Sequence, residues 1–168
     1  MATYYFAYGA DMDSEELNLQ HDRHRRPRTS FAKSTPAILK GYRLICDITS
    51  KYRHSGIFNV VQDSRSTVHG VIYELHPGDS VSMAAMKEGE DADYALSVLP
   101  VKTRTGEDIP AVVLHAKQAP QELKPSTAYL DIVIGAAKRH GLSTDWIQQL
   151  EARRLSSKAR QFDAAESA

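Results

Sequence analysis

Apolar positions in the first two-thirds of the chain fall in short runs with a continuous or two-residue period. Thr3 to Tyr8 is aromatic-rich and too short for a helix, so it predicts a strand buried on both faces and broken by Gly9. Asp13-Ser14-Glu15-Glu16-Leu17 reads as a helix start, with Asp13 as N-cap and Glu16 three residues on. That helix is expected to be short and to give way to a basic loop from His21 to Arg28. Ala37 to Ile48 predicts a strand with a bulge or bend at Gly41. Ile57 to Val61 and Val68 to Leu75 predict two more, joined by the polar turn Asp63-Ser64-Arg65-Ser66. His76-Pro77-Gly78 closes the second, and Asp79 can cap a helix over Val81 to about Lys87. Tyr94 to Thr103 and Ile109 to Lys117 predict a hairpin around Thr105-Gly106-Glu107-Asp108.

The period then changes. Tyr129, Ile132, Val133 and Ala136 share one face of a helix over Ser126 to His140, ended by Gly141. Ser143 to Leu155 predicts a second helix with Leu142, Trp146 and Leu150 facing inward. Strands dominate and most connections are hairpin-like. The fold class is therefore α+β: a small, mixed, mostly antiparallel sheet able to close into a barrel, with flanking helices. The 168 residues suit one domain over 1–155, and the small, polar, aperiodic stretch 156–168 reads as a flexible tail.

Charge narrows the function classes. Lys plus Arg and Asp plus Glu both number 21, so the net charge is zero. A protein built mainly to hold nucleic acid or an acidic membrane carries a basic excess, so neither is expected as a partner. The one cysteine, Cys46, lies in the apolar run Leu44-Ile45-Cys46 and reads as a buried structural thiol. No apolar stretch approaches the ~20 residues of a membrane helix, and no signal-peptide pattern opens the chain; a soluble cytoplasmic protein is the expectation.

Three segments can carry chemistry. The first is the strand–Gly–helix unit Tyr8-Gly9-Ala10-Asp11-Met12, which gathers backbone N–H groups able to hold a carboxylate or phosphate. Taken alone, an ordinary tight turn is the plainer reading. The second is Met86 to Tyr94, where Glu88 stands at a helix–strand junction; a carboxylate at a pocket rim serves as a general acid or base, and a solvated acidic loop is the plainer reading. The third is the basic loop, a solvated face or a lure for an anionic ligand. His21 and His24 lack the partners a metal site needs.

Together these segments resemble the γ-glutamylcyclotransferase family. Tyr5-Phe6-Ala7-Tyr8-Gly9-Ala10-Asp11-Met12 is similar to the family's opening Tyr-Phe-Ala-Tyr-Gly-Ser-Asn-Met/Leu. Leu39 to Leu44, Gly56 to Val60 and Val68 to Leu75 are similar to its next strands, Glu88-Gly89 with Tyr94 to its catalytic segment, and Tyr129 through Leu142 to its late helix. The resemblance implies a small barrel with flanking helices and a reaction in which an L-γ-glutamyl amide or amino acid cyclises to 5-oxoproline and releases its amine. It implies Glu88 as general acid/base and Tyr8, Gly9, Ala10, Asp11, Met12, Tyr94 and Tyr129 as substrate-binding residues. It implies no metal or organic cofactor, a small-molecule γ-glutamyl substrate as partner, and a homodimer among the assemblies open to the chain. Ala10-Asp11 departs from the family's Ser-Asn, which removes two side-chain donors and adds a carboxylate. Two other readings stay open: a relative that binds a small molecule or partner without turnover, and an RNA- or anion-binding module using the basic loop.

Overall fold

The computed structural model describes residues 2–28, 30–77 and 91–166, with 158–166 as backbone alone. Five strands form a closed barrel: β1 (Thr3–Ala7), β2 (Phe31–Ser50), β3 (Ser55–Leu75), β4 (Tyr94–Thr103) and β5 (Asp108–Ala116). The order around the barrel is β1-β3-β2-β4-β5. Neighbours are antiparallel except β1 and β5, which close the barrel in parallel through Tyr5 opposite Val112 and Phe6 opposite Val113. Among the described residues three α-helices accompany it, α1 (Ser14–Arg23), α2 (Thr127–Arg139) and α3 (Thr144–Glu166). The mixed, mostly antiparallel barrel with flanking helices is the fold class expected from the sequence.

The hairpin of β4 and β5, the Asp13 cap of α1 and the span of α2 agree with the hydrophobic pattern. Asp13 accepts the Glu15 and Glu16 N–H groups at 2.9 and 3.1 Å. Ser126 caps α2 through the Tyr129 N–H at 3.1 Å, and Gly141 supplies the positive φ (+69°) that ends it.

Four expectations need correction. Ile57 to Val61 and Val68 to Leu75 are one strand, β3, paired with β2 along its length. The expected turn is a bulge within it: Lys40 faces Thr67 and Tyr42 faces Gln62, so residues 63–66 bulge opposite Gly41 (φ +81°). Asp63 holds the bulge by accepting the Arg65 N–H at 3.1 Å and the Ser66 hydroxyl at 2.7 Å. The hydrogen bonding is that of a hairpin turn, which is why the sequence pattern suggests one. Second, α1 runs through His21, which is fully buried and donates from Nδ1 to the Pro27 carbonyl at 2.8 Å. Only His24 to Arg28 follows as loop, and Arg28 pairs with Asp22 at 2.6 Å. Third, β2 begins at Phe31, six residues before the expected start. Fourth, α3 continues to Glu166, past its expected end at Leu155. The helix expected over Val81 to Lys87 lies outside the described residues. No described helix is long and apolar enough to cross a membrane.

The core fills the barrel and extends to α2: Tyr5, Phe6, Val60, Val68, Val71, Leu130 and Val133 are almost wholly buried. Burial pushes the Cys46 thiol up to about 12, which suits a structural thiol and not a nucleophile. Asn59, with no exposed surface, clamps β3 to β5. Its Nδ2 donates to the Ala116 carbonyl at 3.0 Å, and its Oδ1 accepts the Ala116 and Val60 N–H groups at 2.9 Å each.

β1 crosses β3 closely at Gly70. A Cβ there would stand 2.2 Å from the Ala7 carbonyl oxygen and 2.7 Å from the Phe6 ring. Backbone cannot yield as a flexible side chain does, so Gly70→Ala is expected to destabilise by about 3 kcal/mol. Denaturant unfolding checks this; a loss under ~0.5 kcal/mol contradicts the crossing.

Candidate active site

β1 carries the chain from the barrel interior to Gly9, and a single 3₁₀ turn, Ala10–Met12, then leads into α1. The Met12 N–H donates to the Gly9 carbonyl at 3.1 Å and the Asp13 N–H to the Ala10 carbonyl at 2.9 Å. This places Tyr8, Gly9, Ala10 and Asp11 along one side of a narrow cavity, about 390 Å³ with its open mouth included. Tyr5, Gln20, Ile57, Phe58, Tyr94, Leu114 and Tyr129 complete the lining.

The polar groups of this lining are ordered by one another. Asp11 folds back over its own turn: Oδ1 accepts the Gly9 N–H at 3.1 Å, and Oδ2 accepts the Tyr5 hydroxyl. The Tyr8 hydroxyl donates to the Leu114 carbonyl, tying the end of β1 to β5. The Tyr129 hydroxyl accepts the Phe58 N–H at 3.1 Å, tying α2 to β3. A Cβ on Gly9 would stand 2.9 Å from that same hydroxyl, so glycine is what lets Tyr129 reach the turn. Behind Tyr129 lies Arg53, whose guanidinium is 5.3 Å from the ring centroid and 3.2 Å from Glu16. Its side chain is only 9% exposed, so the pair stiffens the wall between α1 and α2.

Of the residues expected at the site, Tyr8, Gly9, Ala10, Asp11, Tyr94 and Tyr129 line this one cavity. Met12 does not. Its side chain is wholly buried and its carbonyl accepts from the Tyr73 hydroxyl and His140 Nε2, each at 2.7 Å. Glu88 lies outside the described residues. Among the described residues no cluster of His, Cys, Asp and Glu is placed to hold a metal.

The model of the AIG2-like family matches residues 67–150, half of the chain. The chain belongs to the AIG2-like family. This AIG2-like chain is 26% identical to human γ-glutamylcyclotransferase over 155 residues, covering 88% of this chain and 77% of the human protein. The mouse γ-glutamylcyclotransferase is 25% identical over the same length. Among solved structures, a γ-glutamyl cyclotransferase superposes with a TM-score of 0.76 at 24% identity, over 90% of this chain and 88% of that one. A yeast γ-glutamyl cyclotransferase specific to glutathione gives 0.63 at 13% identity, over 95% and 99%. These structural likenesses establish the barrel-with-helices fold.

Sequence reasoning about the AIG2-like chain missed Tyr5, Gln20, Ile57, Phe58 and Leu114 at the cavity. Tyr5 and Phe58 read as core from their strands. Gln20 sits near the end of a short polar helix, where a polar residue normally faces water.

Two predictions follow from this geometry. Gly9→Ala is expected to cost about 1–3 kcal/mol by pressing on the Tyr129 hydroxyl. The cost should shrink in a Tyr129→Phe background; a double-mutant cycle without coupling contradicts the contact. Burial, reinforced by the Asp11 carboxylate, also raises the Tyr5 and Tyr8 hydroxyls well above the ordinary tyrosine value. The native state keeps protons that the unfolded chain releases above about pH 10, so their stabilisation is complete below that pH and is lost as pH rises past it. Tyrosinate absorbance should show Tyr5 and Tyr8 ionising only with alkaline unfolding; Tyr5→Phe and Tyr8→Phe assign the signals. Ionisation of either while the protein is folded contradicts the assignment.

Proposed function

We propose that this AIG2-like protein is a γ-glutamylcyclotransferase-type enzyme, converting an L-γ-glutamyl amide or amino acid into 5-oxoproline and a free amine. One observation carries the reading: Tyr8 to Asp11, Tyr94 and Tyr129, far apart in sequence, meet in a single small cavity.

The chemistry follows from the substrate. Its α-nitrogen attacks its own γ-carbonyl carbon, closing a five-membered ring and generating a tetrahedral oxyanion. Collapse breaks the bond to the leaving nitrogen. The α-ammonium gives up two protons, one to become the nucleophile and one as the ring closes, and both end on the leaving nitrogen, which departs as an ammonium, so no water, oxidant or cofactor enters. Glu88 is assigned both proton transfers, a contribution of about 10²–10⁴-fold. Holding the chain curled for ring closure supplies more, because well-oriented intramolecular reactions gain roughly 7–11 kcal/mol. The backbone turn from Gly9 to Asp11 lines the cavity and is the part suited to the substrate's carboxylate or the oxyanion. Asp11, held by Tyr5 and the Gly9 N–H, is suited to the substrate's α-ammonium before it loses its proton. A cytoplasmic location and a small-molecule partner belong to the same reading.

Asp11 also supports a second reading. It occupies the Gly9 N–H and places a negative charge in a site meant for a substrate that carries a carboxylate. A relative that binds a γ-glutamyl compound without turning it over has the same cavity.

Incubation with a panel of γ-glutamyl amides, followed by mass spectrometry, separates the two. The wild-type protein is expected to release 5-oxoproline. Glu88→Gln is expected to lower release by at least ~10²-fold with unfolding temperature unchanged. Undiminished release by the variant overturns the role of Glu88, and binding without any turnover supports the second reading.

A further inference from the structure

We infer that the cleft between α3 and the bulged part of β2 and β3 binds the phosphate group of a soluble small molecule, with the Arg43, Arg65 and Arg153 guanidinium groups and the Trp146 indole N–H as its donors. No residue lines both this cleft and the cavity at Gly9, so the inference does not depend on the γ-glutamyl reading.

The cleft measures about 720 Å³ with its open mouth included. Arg43 comes to it from β2, Arg65 from the bulge in β3, and Trp146, Gln149 and Arg153 from α3. The three α3 residues stand at spacings of three and four, which puts them on one face of the helix. Elements far apart in sequence thus bring three permanent positive charges to one place, and no Asp or Glu lines it among the described residues.

These charges are largely unspent within the protein. Among the described residues, no carboxylate pairs with Arg65 or Arg153. The Arg153 Nη2 donates to the Leu44 carbonyl at 3.0 Å. Arg43 lies 3.7 Å from Asp63 and 3.4 Å from Glu122, in partly exposed pairs of the kind that contribute little. Trp146 is an independent sign of a ligand. It is 6% exposed, it stacks on His69 with ring centroids 5.0 Å apart, and its Nε1 has no acceptor among the described residues. A buried indole N–H ordinarily has a partner. Here the side chains around it are mostly donors, so a ligand rich in acceptor oxygens is what supplies the missing one.

Phosphate is the group that fits. A guanidinium fork matches the oxygens of carboxylate and phosphate alike. A carboxylate has two oxygens, too few to engage three forks and an indole N–H. A phosphate monoester has three terminal oxygens in a tetrahedral array and up to two negative charges. The donors come from two strands and a helix, with Trp146 buried in the wall, so they surround one molecule and do not present a flat face to a bilayer.

Trp146 is the only tryptophan of the chain, so its fluorescence reports on the cleft. Inorganic phosphate and glycerol 3-phosphate, titrated at constant ionic strength, are expected to change its emission with a Kd of about 1 mM or tighter. Acetate is expected to leave it unchanged, and calorimetry gives the same Kd values without relying on the fluorophore. Arg65→Ala should weaken binding about tenfold or more, as suits the loss of charge-assisted hydrogen bonds. Its unfolding temperature should not move, because Arg65 is exposed. Arg65→Lys restores the charge without the fork and should recover only part of the affinity. Arg26→Ala, in the exposed loop after α1, removes the same charge elsewhere and should leave the Kd where it was. The inference is overturned by calorimetry that detects neither phosphate compound, by acetate binding as tightly as phosphate, or by equal Kd values for wild type and Arg65→Ala. Equal weakening in Arg26→Ala and Arg65→Ala also overturns it, since that is a general charge effect. Cosedimentation with phosphatidylcholine vesicles containing phosphatidic acid, without a response to soluble phosphate, overturns it in favour of a membrane surface.

Discussion

The Tyr129 hydroxyl is the point on which the geometry of the site turns. It touches the turn after β1 where Gly9 has no side chain, and it accepts the Phe58 N–H of β3. One group therefore joins a helix from the last third of the chain to the first turn and to the wall beside it. The barrel supplies the frame: β1 is held between β3 and β5, and Tyr8 is fastened to β5 through the Leu114 carbonyl. Arg53 and Glu16 brace the outer side of Tyr129. The turn, α2 and the β3 wall are thus held together around the cavity.

Asp11 gives the site its individual character. The family pattern places a neutral amide there, and a carboxylate changes the charge of the cavity. Its two oxygens are engaged by the Gly9 N–H of its own turn and the Tyr5 hydroxyl of β1, so it is a fixed part of the wall and not a loose side chain. A fixed anion attracts the ammonium end of a glutamyl group and repels its carboxylate, and so imposes an orientation on whatever enters.

Much of this was legible in the sequence. Tyr8-Gly9-Ala10-Asp11, Tyr94 and Tyr129 were singled out from local pattern and resemblance, and they line one cavity. The β4–β5 hairpin and α2 were legible because their periodicity and end signals agree. Legibility failed where one local chemistry serves two global roles. The Asp63 hydrogen bonds that make a hairpin turn also make a bulge, and only pairing with β2 over its whole length distinguishes them. His21 and Gln20 look like surface residues of a polar segment, yet both are buried by packing that local pattern does not report. Met12 sits in the motif but turns into the core, because the 3₁₀ turn rotates it away from Gly9 and Asp11.

The central claim is that this cavity holds a γ-glutamyl group for ring closure. A crystal structure of the protein soaked with 5-oxoproline tests it most directly. The account predicts the lactam ring between the Gly9–Asp11 turn and Tyr129, with Tyr94 against it. A ring bound elsewhere, or an empty cavity at saturating 5-oxoproline, contradicts it.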